Sequence, residues 1–64
     1  MNIRIRKAIL KYVAMYRIVD TRWLTKNLSL YFKTTKQRIA GNISYLVTSG
    51  RVQINRNYPH STIY

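Results

Sequence analysis

Asp20 is the only acidic side chain in a chain that carries twelve lysines and arginines and a formal net charge of +11. No other feature constrains the fold as much. Like charges repel in the compact state and oppose folding. The chain has no cysteine, so neither a disulfide framework nor a zinc finger or ribbon can offset that repulsion. Apolar burial must do so, and enough apolar material is present. Hydrophobic residues make up 47% of the chain, with six Tyr, one Trp and one Phe. A disordered basic tail is poor in aromatic and β-branched residues, so a folded unit is expected. With 64 residues it is a single domain over 1–64, built around a small core.

Three segments repeat apolar residues with helical spacing. Ile5, Ile9, Tyr12, Val13 and Tyr16 fall at i, i+4, i+7, i+8 and i+11, one face of a helix over about 3–16. Asn2 can cap its start and Arg17 suits the negative end of its dipole. Arg4, Lys7 and Lys11 lie on the opposite side. Ile18 and Val19 form either a minimal strand or an extended connector. Asp20 then stands where an N-cap belongs, ahead of Leu24, Leu28 and Phe32, which predict a helix over about 21–31 with Trp23 beside its stripe. Thr35 caps a third helix over about 36–49, whose inward residues are Ile39, Ile43, Leu46 and Val47, and Gly50 ends it. The expected core is Ile9, Val13, Leu24, Leu28, Ile39, Ile43 and Leu46. Tyr12, Tyr16 and Trp23 are expected to join it.

The period changes in the tail. Val52 and Ile54 alternate with Gln53, and Thr62, Ile63 and Tyr64 are again strand formers. Between them lies the turn-rich stretch Asn55 to Ser61. A β-hairpin with a long polar loop is expected, giving a mainly α chain with a small hairpin, α+β in class.

The stretch from Thr35 to Val52 resembles the recognition helix and first wing strand of winged helix-turn-helix regulators. In that family a hydroxyl residue caps the helix, apolar residues follow, and a glycine leads into the wing. The matching positions are Thr35, Ile39, Ile43, Leu46 and Gly50. The resemblance covers about 18–64 and implies a three-helix winged helix-turn-helix fold that binds duplex DNA. Two departures stand out. Lys33-Thr34 replaces the common glycine in the turn before helix 3. The interval from Asp20 to Thr35 is also about one helical turn longer than usual.

The candidate contacts follow from helix geometry and charge. With the apolar residues of helix 3 inward, Gln37, Gly41, Ser44 and Thr48 turn outward, flanked by Arg38 and Tyr45. Gln can pair with an adenine edge and Arg with guanine in the major groove. Gly41 is either a tolerated glycine or a place for close backbone approach. Lys33 and Lys36 stand at the end of helix 3 that favours phosphate, together with Thr35. Arg56, on the wing, suits a phosphate or minor-groove contact.

Other classes have less behind them. His60 has no partner set for a metal site or a general base, and the Ser and Thr residues lack a base and orienter. A non-enzyme without a cofactor is expected. The longest apolar run, Tyr12 to Tyr16, is far short of the roughly 20 residues of a membrane span. No apolar stretch follows the basic N-terminus as in a secretory signal. A cytoplasmic location is expected, with association to the nucleoid in a prokaryotic or viral setting. The alternative function is a small protein-interaction module, an antagonist or adaptor of a larger protein. Ile3, Leu10 and Ala14 form a second stripe on helix 1 that would serve a homodimer or protein partner; scattered surface residues are the plainer account of it. Binding of helix 1 to an anionic membrane surface is a third reading, although helices 2 and 3 offer its apolar face a better use. Base stacking of single strands on Trp23 and the tyrosines is set against their expected place in the core.

Overall fold

A computed structural model describes residues 3–56 and 61–64. The elements run α1 (Ile3–Tyr16), β1 (Val19–Asp20), α2 (Thr21–Tyr31), α3 (Lys36–Thr48), β2 (Ile54–Asn55) and β3 (Thr62–Ile63). The expected cap Asn2 and the loop residues 57–60, which include Tyr58 and His60, lie outside the described residues. The chain is mainly helical with one small antiparallel sheet.

Local chemistry sets the helix boundaries. Asp20 Oδ1 accepts the backbone N–H of Arg22 at 2.7 Å and that of Trp23 at 3.4 Å. The one carboxylate thus satisfies amides that α2 leaves unbonded at its start. Thr35 does the same for α3, accepting the N–H of Arg38 at 3.2 Å. At the end of α2, Lys33 adopts a φ of 53°. The Lys33 N–H donates to Leu30 O and the Thr34 N–H to Ser29 O, which is a Schellman ending. Gly50, at φ 80°, ends α3 in the same way, with Gly50 N–H on Val47 O and Arg51 N–H on Leu46 O. A Cβ on Gly50 would touch nothing, so the left-handed backbone alone accounts for glycine here. Lys33 fills the corresponding place after α2 without that freedom, which locates the departure from the common glycine. Of the interval from Asp20 to Thr35, α2 takes up Thr21–Tyr31 and residues 32–35 make a short connection.

The sheet has the order β1-β3-β2. Ile63, the buried residue of the central strand, pairs with Val19 on one side and Ile54 on the other. Gln53 and Tyr64 exchange both backbone hydrogen bonds and lengthen the hairpin. Thr21 binds the Ser61 carbonyl through its N–H at 3.1 Å and its hydroxyl at 3.0 Å, which fastens the returning strand to the start of α2. Val19 therefore lies in a strand, not a connector. Val52 is buried as part of the core but precedes β2, which begins at Ile54.

The core gathers one stripe from each helix and one side of the sheet. Ile5, Ile9, Leu24, Leu28, Ile39, Ile43, Leu46, Val19, Val52 and Ile63 are all buried. Each such side chain contributes about 1.5–3 kcal/mol of transfer free energy.

Several expectations on helix 1 and beside it need correction. Burial fades along the α1 stripe: Ile5 and Ile9 are fully buried, Tyr12 and Val13 half-buried, and Tyr16 is 58% exposed. Periodicity identifies the inward side of a helix but not where its packing partners stop. Tyr12 and Val13 pack against the core without entering it, so Val13 does not belong to the buried set. Trp23 is 46% exposed, its ring meeting Tyr12 edge-on with centroids 5.4 Å apart. Leu10 packs against the core and so leaves the stripe with Ile3 and Ala14, both exposed.

Candidate nucleic-acid interface

The outward stripe of α3 is open along its length. Gln37, Gly41, Ser44 and Thr48 are all exposed, as are Arg38, Lys36 and Thr35. The inward stripe makes this so: Ile39, Ile43 and Leu46 are buried, and the opposite side must then face solvent. Gln37 and Ser44 are separated by about 10 Å of helix rise, so the stripe is long enough to follow a groove.

A Cβ built on Gly41 meets no atom within 4 Å. Packing within the chain therefore does not account for this glycine. Gly41→Ala is expected to raise stability by about 1 kcal/mol, the helix-propensity difference between the two residues. Urea melts of the two proteins check this, and a less stable variant would contradict it.

Ser44 and Ala40 of α3, Arg22 and Thr25 of α2, and Arg56 line one groove of about 240 Å³. The fold thus joins two expected contacts, Ser44 and Arg56, and adds Arg22. Helical apolar spacing alone does not single out Arg22. Its position in the first turn after the Asp20 cap was the available signal, because such a residue projects beside the helix start. Two exposed guanidiniums flanking a hydroxyl form a set of donors suited to phosphate oxygens.

Lys33, Lys36, Gln37 and Arg38 do not line this groove. They cluster around the start of α3. Lys33 and Lys36 flank Thr35, whose hydroxyl is engaged as the cap. Arg38 is exposed, and its carbonyl accepts the Asn42 side-chain amide at 2.7 Å.

Tyr45 is placed differently from its expected role as a flank of the outer face. The Arg6 guanidinium lies 3.6 Å from the centre of its ring, a cation–π contact. Arg6 Nε also donates to Asn42 Oδ1 at 3.0 Å. Tyr45, although 44% exposed, is thereby turned toward α1. Arg6 and Asn42 link α1 to α3, and Arg6 is the one basic residue of α1 that helical spacing leaves off the side opposite the apolar stripe.

Eleven of the twelve basic residues are exposed, the exception being half-buried Arg6. Among the described residues no helix is long and apolar enough to cross a membrane, and no cluster of His and acidic residues could hold a metal ion. The chain matches no protein-family model, no curated protein and no solved structure.

Proposed function

We propose that this chain is a winged helix-turn-helix domain that binds duplex DNA and acts as a small transcriptional regulator. In this reading α3 enters the major groove and the β2–β3 hairpin is the wing, lying along the backbone or minor groove. One observation carries it: the outer stripe of α3 is polar or small from Gln37 to Thr48 and fully open, on a chain with a net charge of +11. The helix, strand, helix, helix, hairpin order with β3 central supports the fold assignment. A helix of this kind fits the major groove, and its first exposed turn reaches base edges. Gln37 and Arg38 are the base readers. Ser44 is an adjacent contact, and Gly41 admits close backbone approach. Lys33, Thr35 and Lys36 hold phosphate at the entrance of α3, and Arg22 and Arg56 hold it beside the wing.

The test separates these roles. Gln37→Ala and Arg38→Ala should each cost about 1–3 kcal/mol on a preferred duplex and less on a random one. Lys36→Ala and Arg56→Ala should weaken both duplexes alike and reduce the salt slope by about one unit each. Binding of the four variants to preferred and random duplexes across a salt series measures both effects. Equal losses on both duplexes for Gln37→Ala and Arg38→Ala would mean that α3 does not read bases.

A further inference from the structure

The surface between α1 and α2 exposes aromatic rings that neither the core nor the proposed duplex interface uses. Tyr16 is 58% exposed, Trp23 46% and Tyr31 78%, and Met15 and Ile18 are open beside them. Single exposed apolar residues are ordinary, whereas a continuous patch marks a binding surface. These residues are continuous. Tyr12, Tyr16 and Tyr31 line a groove of about 470 Å³ between the two helices. Tyr16 and Trp23 line a second of about 500 Å³. Tyr16 belongs to both, so the two grooves form one track. Within it Tyr12 stacks on Tyr16 with ring centroids 6.0 Å apart.

Charge decides what this track can hold. Lys11 lines the first groove. Arg17 lies between Tyr16 and Ile18 in sequence, and both cations are exposed. The only side-chain carboxylate, that of Asp20, lines the second groove, with Oδ1 accepting the N–H groups of Arg22 and Trp23. A second copy of the chain would bring the same cations against this face, and like charges placed opposite each other disfavour pairing. Aromatic rings interleaved with cations instead match the two parts of an unpaired nucleic-acid strand. Bases stack on the rings and phosphates pair with the cations.

We propose that the α1–α2 face binds single-stranded nucleic acid, with unpaired bases stacked on Tyr16, Trp23 and Tyr31 and phosphates held by Lys11 and Arg17. Every base has a π-face, so this track is tolerant of sequence. It is a second nucleic-acid surface and stands whether or not α3 reads duplex DNA.

Trp23 is the only tryptophan, so its fluorescence reports on this face directly. The experiment titrates a thymidine oligonucleotide of about ten nucleotides into the full chain. Saturable quenching of Trp23 that weakens with added salt is expected. Tyr16→Ala and Tyr31→Ala should each lower the affinity about ten-fold, the effect of losing one stacked base, while melting near the parent temperature. Tyr31 is the most exposed of these rings, so its variant tests the face with least disturbance of the fold. Gln37→Ala and Arg38→Ala should leave single-strand affinity unchanged while altering duplex preference, which separates the two surfaces. An unchanged Trp23 signal overturns the proposal. So does an oligonucleotide affinity indifferent to both tyrosine changes. Sedimentation that finds a dimer which Tyr31→Ala dissociates would assign the face to a second copy instead.

Discussion

Ile39→Ala should leave this domain largely unfolded at ordinary temperature. Ile39 is completely buried, and with Ile43 and Leu46 it forms the stripe by which α3 joins the core. Truncating such a side chain costs about 2–5 kcal/mol, the sum of lost transfer free energy and the cavity left behind. A domain of this size rarely has more than about 3–5 kcal/mol from its core to lose. The chain has no cysteine, so no disulfide supplements that core, and the excess of positive charge opposes it. Ile43→Ala should act in the same direction. Circular dichroism during a urea or thermal melt measures the loss. Thr48→Ala, on the open side of the same helix, should change stability by no more than about 0.5 kcal/mol. Equal melting of Ile39→Ala and the parent would mean that α3 is rotated from the observed phase.

Duplex affinity should collapse as salt rises. A protein that neutralises six to ten phosphates loses about 10³–10⁵ in affinity between 50 and 200 mM salt, because each contact releases condensed counterions. The proposed contacts Lys33, Lys36, Arg22 and Arg56 supply part of that number, and Gln37 and Arg38 add a component that depends on sequence. A plot of log affinity against log salt for random duplex should therefore be linear and steep. A flat plot, or no binding at low salt, would remove the duplex proposal and leave the protein-interaction alternative.

Expectations drawn from the residues were accurate where a feature is local and failed where it depends on what a side chain meets across space. The Asp20, Thr35 and Gly50 boundaries needed only hydrogen bonding and backbone freedom within one turn. The aromatic residues of α1 and α2 were the main failure. Tyr12, Tyr16 and Trp23 share sides with core residues, and an apolar ring on an apolar stripe looks like core whether or not anything covers it. α1 outlasts its packing partners toward Tyr16, and the coverage ends there. Leu10 erred in the opposite direction: it points about 100° round the helix from Ile9, yet it packs against the core.

The sequence by itself determined three helices, their phases, the Asp20 and Thr35 caps of the second and third, and the outward stripe from Gln37 to Thr48. These follow from the 3.6-residue period and from side chains that bond their own helix ends, interactions confined to a few neighbouring residues. Only the tertiary structure decided that Val19 and Asp20 pair with Thr62 and Ile63, since a two-residue strand has no periodicity to detect. The same holds for the groove that joins Arg22, Ser44 and Arg56, for the Arg6 contact with Tyr45 and Asn42, and for the open aromatic track. Each joins residues far apart in the chain, and such contacts exist only once the helices have packed at definite positions along one another.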